Sequence, residues 1–161
     1  MHNAKIEEAL KPLIGLRWWS IGRASYLLWL HFGEKREVPA WGGGTKTVGQ
    51  WAIHAECSWS LRHSGLVIVG SEDYHVDSGG SAVADAYDRL AQSRFDDIAE
   101  RLRLEFESGA PTVSEIAGDG HGGFSLKMSD GYGLNISVRA DGGSWRIFQP
   151  STDQGHFVVE R

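Results

Sequence analysis

The first residues that could carry chemistry are His54-Ala55-Glu56-Cys57. A zinc deaminase pairs His and Glu in this way, but on a helix and with a later Pro-Cys-x-x-Cys that supplies two more ligands. Cys57 is the only cysteine, and the segment reads as a strand. No metal is therefore expected. A cysteine nucleophile needs a paired base, and no feature of the sequence supplies one, so no catalytic residue is assigned and no cofactor is expected. On a strand, His54 and Glu56 share the outward face, a spacing that suits a contact patch. Cys57 points inward, where a lone cysteine acts as a small buried hydrophobe.

Other candidate constellations give less. Glu72, Asp73, His75 and Asp77 lack the Gly and the terminal Glu of a calcium loop, so they read as a solvated acidic loop. Gly118-Asp119-Gly120-His121-Gly122-Gly123 has the look of a phosphate cradle, but it falls between two strands rather than before a helix. It reads as a hairpin connection. The chain carries seven tryptophans. Trp18, Trp29, Trp51, Trp59 and Trp145 are expected in the core. Trp19 and Trp41 are candidates for contact with a ligand or partner, Trp41 because it sits beside Gly42, Gly43 and Gly44. The candidate binding set is thus Trp19, Trp41, His54 and Glu56. If these line one cleft between the two halves of the chain, a small-molecule site, even an enzymatic one, is the alternative to a protein-binding function.

The elements that must position these residues are mostly strands. Twenty-one glycines against four prolines suit many tight turns. Leu16 to Ala24, Ser25 to Gly33, Val48 to Arg62 and Leu66 to Val69 read as strands, with 34–47 as a loop. In Val48 to Arg62, Trp51, Ile53, Ala55, Cys57, Trp59 and Leu61 alternate with polar or small residues, which puts one face in the core. After Pro111, candidate strands follow at Thr112 to Gly118, Gly123 to Ser129, Tyr132 to Arg139, Ser144 to Phe148 and His156 to Glu160. Asp130-Gly131 marks a hairpin. A short helix is expected over Asn3 to Leu10. The main helix is expected over Ser93 to Glu105, capped by Ser93 and extended upstream through Val83, Tyr87 and Leu90. The fold class expected is α+β, mainly antiparallel β, in two packed sheets or a distorted barrel.

The two ends follow a similar plan. Ser58-Trp59-Ser60-Leu61 precedes Leu66-Val67-Ile68-Val69, and Ser144-Trp145-Arg146-Ile147 precedes Phe157-Val158-Val159. This suggests one domain over 1–161, with pseudo-repeat halves 13–75 and 111–161 joined by a helix at 83–107. The halves are unequal. Ser25 to Gly33 is apolar on both faces, so something must cover the extra face, and a homodimer through it is one expectation.

Composition narrows the partners. A net charge of −5 and a pI near 5.8 argue against a nucleic-acid binder, which needs a basic stripe. A single cysteine suits a reducing compartment. No stretch approaches the roughly 20 apolar residues of a membrane helix, so no membrane partner is expected and a cytoplasmic location is the default. The run Gly15 to Gly33, then Val48-Gly49, Ala52-Ile53-His54-Ala55 and Cys57-Ser58-Trp59-Ser60-Leu61, then Val69-Gly70-Ser71 with Asp73, resembles a family of uncharacterised bacterial proteins. The later Asp130-Gly131-Tyr132 and Ser144-Trp145-Arg146-Ile147-Phe148 fit the same resemblance. Its motifs are structural, and some similar small acidic proteins resemble immunity proteins of bacterial toxin systems. The resemblance carries over no functional residue; the acidic charge, the lack of a catalytic constellation and the apolar excess of the N-terminal half point to a non-enzymatic interaction protein.

Overall fold

The computed structural model describes residues 3–76, 93–140 and 142–161. Chain order is α1 (Asn3–Leu10), a 3-10 turn (Lys11–Leu13), β1 (Trp18–Ala24), β2 (Leu27–Phe32), β3 (Arg36–Pro39), β4 (Thr45–Val48), β5 (Trp51–Glu56), β6 (Ser58–His63) and β7 (Leu66–Gly70). A 3-10 turn at Ser71–His75 precedes α2 (Arg94–Glu107), β8 (Val113–Gly118), β9 (Phe124–Met128), β10 (Tyr132–Ser137), β11 (Ser144–Phe148) and β12 (Phe157–Glu160). The class is α+β and mainly antiparallel β. The suggested upstream extension through Val83, Tyr87 and Leu90, and Asp77 of the acidic loop, lie outside the described residues.

The described strands form two five-stranded antiparallel sheets and a small hairpin. The first sheet runs β1-β2-β5-β11-β12, the second β8-β9-β10-β6-β7, and β3 pairs with β4. These orders are the same plan written twice. Each half supplies a helix, three strands of its own sheet and two strands of the other. α2 packs on β1, and α1 packs on β8. The helix is therefore the first element of the second half rather than a bridge between halves. The leads into β1 and β8 pair with each other, through Trp18 N–H to Pro111 O at 2.8 Å and Val113 N–H to Leu16 O at 2.9 Å.

The expected long strand from Val48 to Arg62 is two strands. The chain leaves the first sheet at Glu56 and enters the second at Ser58. Alternation survives the break, because Ile53, Ala55, Trp59 and Leu61 all face the same interior. Gly143, where the other half makes the reverse crossing, fits against Cys57 so closely that a Cβ there would lie 2.9 Å from the cysteine Cβ. Buried side chains of both sheets and both helices form one continuous cluster. On α2, Phe95, Ile98, Leu102 and Phe106 supply one buried stripe, each contributing about 1.5–3 kcal/mol of burial. Ser93 caps the helix with Asp96 in a reciprocal box, and Arg23 of β1 grips Asp96 through two bonds of 2.9 and 2.8 Å.

The segment 34–47, expected as a loop, contains the β3–β4 hairpin. Its signal is weak because nearly every residue of it is polar or exposed; within 34–47 only Val38 is buried. No helix among the described residues is long and apolar enough to cross a membrane.

Candidate ligand-binding cleft

The register of the sheets shows which residues look outward. In the first sheet Trp18, Ile21, Leu28, Leu30, Phe32, Ile53, Ala55, Trp145 and Ile147 are buried. Because strand residues alternate, the outward positions include Ser20, Gly22, Trp29, His31, His54, Arg146 and Phe148. They are adjacent across strands: Gly22 pairs with Trp29, Ser20 with His31, Trp29 with His54, and His54 with Arg146. Trp29 lies flat on the sheet because Gly22 has no side chain. A Cβ at Gly22 would fall 2.1 Å from the indole.

This face is roofed on one side. Ser20, Trp29, His31 and His54 form a floor; Lys46, Thr47 and Val48 of the hairpin and Phe148, Pro150 and Ser151 form the rims. The cleft holds about 480 Å3. Its rims come from 33–50 and 149–156, the two longest connections within the two halves. Both leave the same end of the sheet, where Phe32 pairs with Trp51 and Phe148 with Ala52, and they touch where the Arg36 guanidinium donates to the Pro150 carbonyl. The matching connections of the second sheet are Ser129–Gly131 and Ser64-Gly65. They also touch, by Ser64 N–H to Gly131 O at 2.9 Å, but they are bare turns.

The electrostatics of the floor are set by two histidines. Burial, then the charges on His54 and Lys46, lower His31 to about 4. Burial, then Arg146, His156 and Lys46, lower His54 to about 4. Both rings are therefore neutral at pH 7. The Gly49 N–H donates to His31 Nδ1 at 2.9 Å, so the neutral ring carries its proton on Nε2 and offers that atom as a fixed donor. His54 meets the edge of Phe148 at 4.8 Å, and Phe148 stacks on His156 at 4.6 Å. Bases this weak are poorly matched to proton abstraction at neutral pH. Burial pushes the half-buried Cys57 thiol up to about 12, which favours its protonated form at neutral pH. No group of three or more potential metal ligands occurs among the described residues.

The four residues expected to converge do not share a cavity. His54 lies in this cleft. Glu56, two residues along the same strand, borders a different cleft with Tyr26, Cys57, Glu72 and Tyr74. Trp19 stacks on His31 at 5.5 Å, donates from Nε1 to Gly33 O at 2.9 Å and lies under the Lys35 ammonium, but it lines a third depression beside Phe106 and Glu107. Trp41 is 100% exposed at the hairpin tip. The expected lining by all four is therefore corrected: of them only His54 lines this cleft, which lies on one face of the first sheet and draws residues from both halves. Trp29, expected in the core, is half-buried and lines it. Trp18, Trp59 and Trp145 are core, and Trp51 packs on the core's edge. Sequence reasoning missed Trp29, His31, Lys46 and Phe148. The signal that could have found them is the unequal length of matching connections once the two halves are laid together. Searches of family models, of curated proteins and of solved structures find no match to this chain.

Proposed function

We propose that this chain is a binding protein without catalytic turnover, and that its recognition site is the cleft on the outer face of the first sheet. The observation that carries this is the meeting of the two longest connections of the repeated plan over one face, where Trp29, His54 and Phe148 stand at the positions that carry Ser125, Asn135 and Arg62 in the other sheet. The weak basicity of both histidines and the raised thiol of the half-buried Cys57 support binding over reaction. A saturation-transfer screen of small organic fragments tests it. Binders should shift the amide signals of His31, Gly49 and His54, and Trp29→Ser with His54→Asn should lose them. Binders that map to the second sheet or to the helices would overturn the proposal.

A protein partner is the second reading, favoured by Trp41, a fully exposed tryptophan on the hairpin that roofs the cleft. Large aromatics of this kind anchor interfaces. The partner would be a toxin-like protein, as the resemblance to immunity proteins suggests, or a second copy of the chain. The apolar strand face that suggested a homodimer is partly covered by the chain's own hairpin, which weakens the motive for a second copy. Light scattering that finds a monomer at micromolar concentration would remove the homodimer. Co-expression with a toxin encoded beside the gene would test the other, with Trp41→Ala expected to weaken the complex at least tenfold.

A further inference from the structure

Resting on the cleft as the recognition site, we infer that its ligand is a small planar anion, an aromatic carboxylate. Charge is the first argument. The chain carries a net charge of −5, yet among the described residues no carboxylate lines this cleft, Glu37 being held on the hydroxyl of the rim residue Thr47, and Lys46 stands on the rim. Four other depressions of the described surface each contain a glutamate: Glu7 and Glu115 in one, Glu56 and Glu72 in another, Glu107 in a third and Glu34 in a fourth. Arg146 adds a second cation on the same face, directly across the strand pair from His54. An acidic protein that clears carboxylates from one aromatic cleft has made a site that an anion can enter.

Shape and hydrogen bonding narrow the anion. Trp29 and Phe148 stand on strands two apart, about 10 Å between backbones at the usual strand spacing, with the strand of His54 between them. The Trp29 indole lies flat over Gly22, on the side away from Phe148, so it offers a face on which a flat ring can stack. The Nε2–H of His31 and the Lys46 ammonium supply donors for a carboxylate. A phosphate is disfavoured, since no helix N-terminus among the described residues lines the cleft.

Calorimetric titration with 2-naphthoate, 2-naphthamide and 2-naphthylmethylamine tests the inference, with amide shifts followed by NMR. Naphthoate should bind at least tenfold tighter than the amide, the amine should not bind, and affinity for naphthoate should fall with added salt. Lys46→Met, an exposed substitution that leaves the fold intact, should remove most of the preference for naphthoate. Lys127→Met, on the outer face of the second sheet at the position that answers to His31, should change nothing. Equal binding of naphthoate and naphthamide at the cleft would overturn the anion class and leave the cleft standing. Absence of binding by all three, with the His31, Gly49 and His54 amides unmoved, would overturn both.

Discussion

The outer faces of the two sheets sit on one scaffold and carry different chemistry. Register places Trp145 opposite Ala55, and Trp59 opposite Ile136; Ala55 in turn faces Leu28, and Ile136 faces Phe124. Buried positions match in kind: tryptophan with tryptophan, Ile147 with Leu61, Leu30 with Leu126, Ile53 with Leu134. One residue along each strand, the outward positions do not. Trp29 answers to Ser125, His31 to Lys127, His54 to Asn135 and Arg146 to Ser60. The interior constrains side-chain volume and polarity at every site, so both halves keep it. The outside is constrained only by what touches it, and among the described residues long connections within the halves touch it only on the first sheet.

The comparison can be broken most sharply at the shared core. Trp145 donates to Gly122 O at 2.8 Å and meets Phe124 edge-on at 4.5 Å. Trp59 donates to the Tyr74 hydroxyl at 3.0 Å and meets Phe95 edge-on at 5.7 Å. Trp145→Ala and Trp59→Ala should each cost about 3–5 kcal/mol, as truncation of a buried large aromatic does, measured by urea unfolding. A loss under about 1 kcal/mol at either site would mean that the two sheets do not share the core equally.

The helix clamps come next. On the second helix, burial opposes the charge of Asp96, but the bonds from Arg23 and Ser93 outweigh it and hold the carboxyl below its usual range. The Arg23 side chain is only 9% exposed. Asp96→Ala should cost about 2–3 kcal/mol, because it strands a largely buried guanidinium and removes a cap. The corresponding clamp on the first helix is lighter: Glu7 accepts from Gly118 N–H at 3.0 Å and Asn3 from Gly120 N–H at 2.8 Å. Glu7→Ala should cost about 1 kcal/mol. Equal losses by thermal unfolding would erase this asymmetry.

Acid should act on the first sheet more than on the second. His31 and His54 take up protons near pH 4 when folded, but from the ordinary histidine value of 6.5 when unfolded. The unfolded chain therefore binds more protons between those values, and stability is complete above pH 6.5 and falls as pH drops toward 4. His54→Asn, which installs the residue of the second sheet, should flatten part of that fall in chemical denaturation across pH. An unchanged pH profile would show that His54 is not the buried neutral ring described above. The smallest effects belong to the plain face: Ser125→Ala and Asn135→Ala should change stability by no more than about 0.5 kcal/mol and leave fragment binding untouched.

Much of the scaffold was legible residue by residue. Alternation at Phe124, Leu126 and Met128 and at Leu134 and Ile136 placed two strands, Asp130-Gly131 placed their turn, and Ser93 with Phe95, Ile98, Leu102 and Phe106 placed the main helix. The likeness of Ser58–Leu61 to Ser144–Ile147 pointed to the repeated plan. The site was less legible. His54 was found because its outward parity could be counted. Trp29 is His54's cross-strand neighbour, but a tryptophan between leucines reads as core until its strand's other face is known to be open.

What the sequence determined by itself is whatever depends on neighbours along the chain: the period of two, the turn glycines, the cap, the absence of paired cysteines and of a basic stripe. What only the tertiary structure decided is which strands share a sheet. The chain crosses from one sheet to the other at Cys57 without disturbing the alternation, so no local pattern marks the exchange. That exchange sets Arg146 and Phe148 beside His54 and Trp29, and it brings 33–50 and 149–156 to the same end of one sheet. Cross-strand partners far apart in the chain are chosen by the burial of the whole core, not by the few residues on either side, and the cleft exists only once that choice is made.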